Sequence, residues 1–196
     1  LVYINDLHCA TNLNVLSFAD DTTVYSSGAN LPALTRCIND ELDKIFTWLC
    51  ENKLHINADK SKFMVFSPNA NRITNVQLFI NGNPIERCGN NETSKTVKFL
   101  GVYLDENLTW KPHIGMLISG VSCTLYAMNK VKRTLPIPAL RTLYFSLIHS
   151  RLSYGILAWG NSNSMSKLFS IQKKAVRVIT NSNYRAHTEP IFKSQK

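Results

Sequence analysis

The chain has 196 residues, 44% of them hydrophobic and 18% charged, with a formal net charge of +9. That composition is globular, of a size for one domain or two small ones, and no membrane-spanning helix is expected, because no apolar run reaches the roughly 18 residues of a span. Five scattered cysteines, Cys9, Cys37, Cys50, Cys88 and Cys123, offer neither a Cys-x-x-Cys pair nor an even framework, so reduced thiols in an intracellular compartment are expected rather than disulfides or zinc. The five histidines are equally dispersed. No secretory leader opens the chain, and Leu1 reads as a start inside a longer domain.

In chain order, Leu13–Phe18 and Thr22–Tyr25 are β-prone runs joined by Ala19-Asp20-Asp21, a hairpin pattern with acids at its tip. Asn30 can cap a helix that tolerates Pro32 in its first turn. Leu34, Ile38, Leu42, Ile45 and Leu49 then recur at helical spacing as one apolar stripe. Leu54, Ile56 and Phe63–Phe66 read as strand, and Ser67–Asn71 as a break. Val76–Ile80, the turn Asn81–Pro84 and Ile85 form a second hairpin pattern. Cys88–Lys95 reads as polar loop, and Thr96–Leu104 as strand with a bulge or close approach at Gly101. After Pro112 helical patterns take over, over Ile114–Val131, from Ala139 to His149 or beyond, and over Ser166–Ile179. Little regular structure is expected from Asn181 on.

Charge divides the same way. Residues 1–110 hold nine Lys and Arg against twelve Asp and Glu; residues 111–196 hold thirteen against Glu189 alone. A block this one-sided repels itself unless an anion lies against it, and nucleic-acid phosphate is the usual partner. A solubilising face, or a tail bound for a membrane surface or the nucleus, is the other reading. We place a boundary near Lys111: an α+β domain over 1–110, then a basic helical domain over 111–196.

Phe18-Ala19-Asp20-Asp21 carries the chemistry. Two adjacent carboxylates on a hairpin tip offer hard oxygen ligands to Mg2+, which keeps waters for a substrate to displace. Leu16 and Phe18 are expected to bury the strand behind them. An Asp-Asp pair is otherwise a solvated turn, and its flanks decide between the two. Val2-Tyr-Ile-Asn-Asp-Leu7 followed by Leu16-Ser-Phe-Ala-Asp-Asp-Thr-Thr-Val-Tyr25 resembles the catalytic stretch of non-LTR retrotransposon reverse transcriptases, nearest to the jockey-like and related elements. The resemblance continues through Leu54-His-Ile-Asn-Ala-Asp-Lys-Ser-Lys62, with Ser61 where threonine is commoner. It goes on through Lys98-Phe-Leu-Gly-Val-Tyr-Leu-Asp105, then the stretch 139–160, then Ile171–Ile179. It covers about residues 1–190.

The resemblance implies a fold and a division of labour. The fold is α+β, a partial polymerase palm of antiparallel sheet with a packed helix, including a primer-grip hairpin, followed by a helical thumb. Asp20 and Asp21 become two of three metal-binding aspartates, with Ala19 under the primer end. Lys60 meets the triphosphate or protonates pyrophosphate, where a cation beside developing negative charge has a use; without the resemblance it is a surface lysine. Phe99, Leu100 and Gly101 approach the primer strand. Lys173, Lys174 and Arg177 form a phosphate-facing strip, while Tyr144, Tyr154 and Trp159 either stack on bases or pack in a core.

The implied activity is RNA-directed DNA synthesis from an RNA template, a DNA primer and deoxynucleoside triphosphates. It uses two Mg2+ ions, with Mn2+ as an alternative, and takes place in nucleus and cytoplasm as the element's ribonucleoprotein. The third aspartate, the fingers and the rest of the palm are expected upstream in the same polyprotein, so the isolated chain is expected not to polymerise. The alternative is a non-catalytic nucleic-acid-binding module derived from a decayed mobile element, which would bind a hybrid duplex with no need of Asp20 or Asp21; a decayed copy with no selected role would instead leave apolar surface on an unpaired sheet edge.

Overall fold

The computed structural model describes residues 2–57, 60–67, 76–89, 92 and 94–194. It is α+β, and it divides into two compact units, Leu1–Val97 and Lys98–Lys196. The division falls earlier than the change of charge near Lys111, so Lys98–Trp110 belong to the same unit as the basic helices.

The first unit opens with a 3-10 helix, Val2–Cys9. Strands β1 (Asn14–Phe18) and β2 (Asp21–Tyr25) pair antiparallel with Phe18 opposite Asp21, leaving Ala19 and Asp20 as the turn. Helix α1 (Leu31–Glu51) begins where expected, because the Asn30 side chain accepts the Ala33 amide and Pro32 gives up no needed donor. Its inner face buries Leu42, Ile45 and Leu49 in a core shared with Leu7, Leu13, Leu78 and Ile80.

The helix ends in a Schellman motif. The amides of Lys53 and Leu54 donate to the carbonyls of Cys50 and Leu49, with Lys53 at φ 57°. That reversal brings Leu54 and Ile56 onto the core as irregular chain rather than the expected strand.

The expected antiparallel sheet is not found as one body. Strand β3 (Lys62–Met64) is shorter than the pattern suggested and pairs in parallel with β6 (Glu86–Cys88). Lys62 and Glu86, opposite each other in that register, form an ion pair at 2.8 Å. Of the second hairpin only β4 (Phe79–Ile80) and β5 (Asn83–Pro84) are regular, turning through positive φ at Asn81 and Gly82. Cys88, expected at the start of a polar loop, is a fully buried strand residue. Beyond Ser67, the expected break lies outside the described residues.

The second unit starts on the hairpin of β7 (Thr96–Phe99) and β8 (Val102–Asp105), whose first two residues still belong to the other unit. Gly101 is not a bulge within one strand. It and Leu100 are the two turn residues, at φ 81° and 43°, as a two-residue type I′ turn requires. Helices α2 (Lys111–Val131), α3 (Ile137–Tyr144), α4 (Ser150–Ser153), α5 (Ile156–Trp159) and α6 (Met165–Ile179) follow, with a π-helical turn over Phe145–His149 linking α3 to α4. They enclose a core of Ile114, Val121, Met128, Leu140, Ile148, Leu168, Ala175 and Trp159, the last fully buried. Helix α7 (Thr188–Ser194) occupies the terminal region where little structure was expected.

Candidate active site and nucleic-acid interface

Asp20 sits in the β1–β2 turn and Asp21 is the first residue of β2, so backbone pairing places both carboxylates at one exposed tip. Ala19 takes φ 54°, the left-handed region that glycine usually fills at the first turn position of a II′ hairpin. Among the described residues no side chain hydrogen-bonds or ion-pairs with either aspartate. The expectation that Leu16 and Phe18 are buried fails. They are 52% and 66% exposed, and among the described residues β1 pairs with β2 alone.

The root of this hairpin is held by an acid that the apolar stripe of α1 does not include. Glu41, on α1, is 5% exposed. Its carboxylate accepts from the Thr11 hydroxyl at 2.8 Å, the Asn12 amide at 2.7 Å, the Asn12 side chain at 3.0 Å and the Lys44 ammonium at 2.6 Å. Lys44 foremost, and then the Asn12 and Thr11 donors, hold its pKa down to about 2. The segment entering β1 is thereby tied to α1. The only sequence signal was an acid one helical position from the apolar Leu42.

Lys60 is exposed and makes no ion pair with either aspartate. Its amide donates to the carbonyl and side-chain oxygens of Asn57, each at 3.2 Å. The structure therefore does not assemble Lys60 with Asp20 and Asp21 into one cluster of contacting groups.

Phe99, Leu100 and Gly101 form the tip of the β7–β8 hairpin. The Tyr154 hydroxyl donates to the Leu100 carbonyl at 2.6 Å, and a Cβ on Gly101 would lie 3.2 Å from the Tyr154 ring. Tyr154 thus latches the tip through its hydroxyl while its side chain stays exposed. Trp159 and Tyr144 are core residues; the Trp159 indole donates to the Tyr154 carbonyl at 3.0 Å, and the Tyr144 hydroxyl accepts from Gln172 at 3.0 Å.

The hairpin leads into α2 through Asp105, whose buried carboxylate accepts the amides of Thr109 and Trp110 at 3.0 and 2.9 Å. His113, 2% exposed, packs on Trp159 with ring centroids 5.5 Å apart. Its Nδ1 accepts the Tyr103 amide at 3.4 Å, its Nε2 has no hydrogen-bond partner, and burial pushes its pKa down.

On α6 the basic strip is divided in use. The Lys173 ammonium lies over the Phe169 ring, 4.5 Å from its centroid. Lys174 and Arg177 instead line a groove of about 420 Å³ with residues of α2, and the Arg177 Nε donates to the Ala186 carbonyl at 2.9 Å. Among the described residues no group of three or more His, Cys, Asp and Glu side chains could hold a metal, and no helix is long and apolar enough to cross a membrane.

The described residues thus present an acid-tipped hairpin followed by an amphipathic helix and, in the second unit, a hairpin leading into basic helices. A family model described as reverse transcriptase (RNA-dependent DNA polymerase) matches residues 2–104, and the chain belongs to that family. It is similar to the RNA-directed DNA polymerase from mobile element jockey of Drosophila melanogaster, 24% identical over 187 residues, covering 93% of this chain and 20% of that protein. The Drosophila funebris counterpart is 24% identical over 183 residues, covering 90% and 19%. The chain spans about a fifth of the length of these curated relatives. No solved structure matches it. Reverse transcriptases use divalent metal ions, a nucleic-acid template and primer, and nucleotide substrates.

Proposed function

We propose that this chain supplies the metal-binding turn, primer-grip hairpin and thumb of an RNA-directed DNA polymerase of a non-LTR retrotransposon. The observation that carries this is the pair Asp20 and Asp21, exposed together on a hairpin tip inside the family-matched residues. Two carboxylates suit one Mg2+ ion in donor type, since magnesium is commonly held by one or two carboxylates with water completing its shell. A second ion calls for a further acid beyond the described residues' own clusters. The bound ion would supply charge neutralisation where the primer hydroxyl attacks the triphosphate. Lys60 is assigned to the triphosphate, Phe99–Gly101 to the primer strand, and Lys173, Lys174 and Arg177 to template–primer phosphates. The partners are an RNA template, a DNA primer and deoxynucleoside triphosphates, met in nucleus and cytoplasm.

The test is paramagnetic broadening by Mn2+ of backbone amides in the full chain, alongside binding of an RNA–DNA hybrid. Broadening centred on residues 19–22, lost in the D20N/D21N double variant, supports the reading. Broadening elsewhere, or none, defeats the metal assignment. The second reading, a non-catalytic nucleic-acid-binding module, is favoured by the lack of any hydrogen bond or ion pair between Lys60 and the aspartates among the described residues. It expects hybrid binding with a steep salt dependence and no Mn2+ site at the turn.

A further inference from the structure

The groove of about 420 Å³ between α2 and α6 is lined on the α2 side by Tyr126, Asn129 and Lys132. On the other side stand Lys174, Arg177 and, past the end of α6, Tyr184. Its size is that of pockets that take nucleotide-sized ligands.

Two kinds of group converge there. Lys132, Lys174 and Arg177 bring three cations to one cleft. Among the described residues no acid lines the groove: of this unit's three, Asp105 and Glu106 lie before α2 and are buried, and Glu189 is paired with Lys193 at 2.8 Å. Tyr126 and Tyr184 are 66% and 76% exposed, in a unit whose other tyrosines, Tyr103, Tyr144 and Tyr154, are part-buried, buried or engaged through a hydroxyl. The Lys130 ammonium lies 5.3 Å from the Tyr126 ring centroid, which keeps a positive charge beside that ring.

Cations alone would suit any anion. Cations with exposed flat rings suit an anion that carries flat rings of its own, where each stacked base contributes substantially and without regard to sequence. A base-paired duplex hides its faces, so only an unpaired strand can use both features. We infer that the α2–α6 groove binds single-stranded nucleic acid, with bases on Tyr126 and Tyr184 and phosphates on Lys132, Lys174 and Arg177. This rests on the proposed polymerase reading for the presence of nucleic acid, and it refines the assignment of Lys174 and Arg177 to an unpaired segment of that template–primer, leaving the hairpin tip and Lys173 to its paired part.

The test is fluorescence anisotropy of the full chain with a labelled five-nucleotide oligothymidine and an abasic oligomer of equal phosphate number. An RNA–DNA hybrid is measured in parallel. The expected result is about fivefold to tenfold tighter binding of the oligothymidine than of the abasic strand, with the difference lost in Y126A and Y184A. K174A should lower the salt slope for the oligothymidine by about 0.7, one phosphate's worth for a single strand. Both tyrosines are exposed, so circular dichroism of each variant should be unchanged. Equal binding of abasic and base-carrying strands, or equal competition by polyglutamate, overturns the groove assignment. If hybrid binding survives that outcome the polymerase reading stands; loss of hybrid binding as well overturns both.

Discussion

The acidic hairpin and the basic helices present charge in opposite ways. Asp20 and Asp21 ride on two strands that pair only with each other, and Leu16 and Phe18 beside them stay half to two-thirds exposed. Lys174 and Arg177 ride on α6, and Lys132 follows the end of α2, two helices that help to enclose buried Val121, Ile148, Ala175 and Trp159. The basic surface carries its own foundation, whereas the acidic tip depends on a tether at its root, the Glu41 clamp on Thr11 and Asn12. A site for metal needs only a few oxygens in place, but a site for a polymer needs a wide rigid surface. The two units divide apolar burial accordingly.

The largest expected effect breaks the foundation. W159A should destabilise residues 98–196 by about 3–5 kcal/mol, the usual cost of removing a buried aromatic. Urea unfolding followed by probes in each unit should show the first unit's transition unmoved. A shared shift would mean the two units unfold as one and would dissolve the contrast.

Next comes G160A. A Cβ there would meet the Ile156 carbonyl at 2.5 Å, so overpacking should cost about 1–3 kcal/mol, read as a lower midpoint of the same second transition.

Acid should then separate the units. Burial lowers the pKa of His113 from 6.5, so the unfolded chain takes up a proton there before the fold does. The second unit should lose stability as pH falls below about 6.5, flattening below the folded pKa. Glu41 is held down at about 2 against an ordinary 4.5. Its contribution is complete above 4.5 and lost as pH falls from there towards 2. Thermal melts from pH 7 to 3 should therefore show the helical unit weakening first, with H113Q removing that slope and E41Q removing the lower one.

The smallest effect sharpens the account of the tip. A19G relieves a left-handed non-glycine residue, worth about 1 kcal/mol, partly offset by the greater freedom of glycine in the unfolded chain. Amide exchange at Thr22 and Thr23 should slow slightly or stay unchanged; faster exchange would show that Ala19 is unstrained.

Much of this was legible in the sequence because it rests on local rules. The Leu34–Leu49 stripe, the Asn30 cap and the two acids between β-prone runs each depend on neighbours a few residues away, and each appears where expected. What escaped depends on partners far along the chain. Cys88 reads as loop until β6 pairs with β3. Glu41 reads as solvated until Thr11 and Asn12 reach it across some thirty residues. Leu16 and Phe18 read as core because alternation shows that a face is apolar but not whether anything covers it. Gly101 was singled out correctly for its backbone, yet the turn it makes with Leu100 became visible only with the second strand in place. Of the site, the motif names Asp20 and Asp21, but no local pattern relates Lys60 to them.

The Tyr154–Leu100 hydrogen bond has a consequence for covalent connectivity. It joins positions 54 residues apart in sequence, and the Trp159 indole fastens the same tyrosine's carbonyl to the core. The chain from Leu100 to Tyr154 is in effect a closed ring with a non-covalent clasp. Arg133 and Thr134, exposed in the turn between α2 and α3, lie within that ring. A trypsin cut after Arg133 would open the ring while leaving its two ends held at the hairpin and by the packed helices.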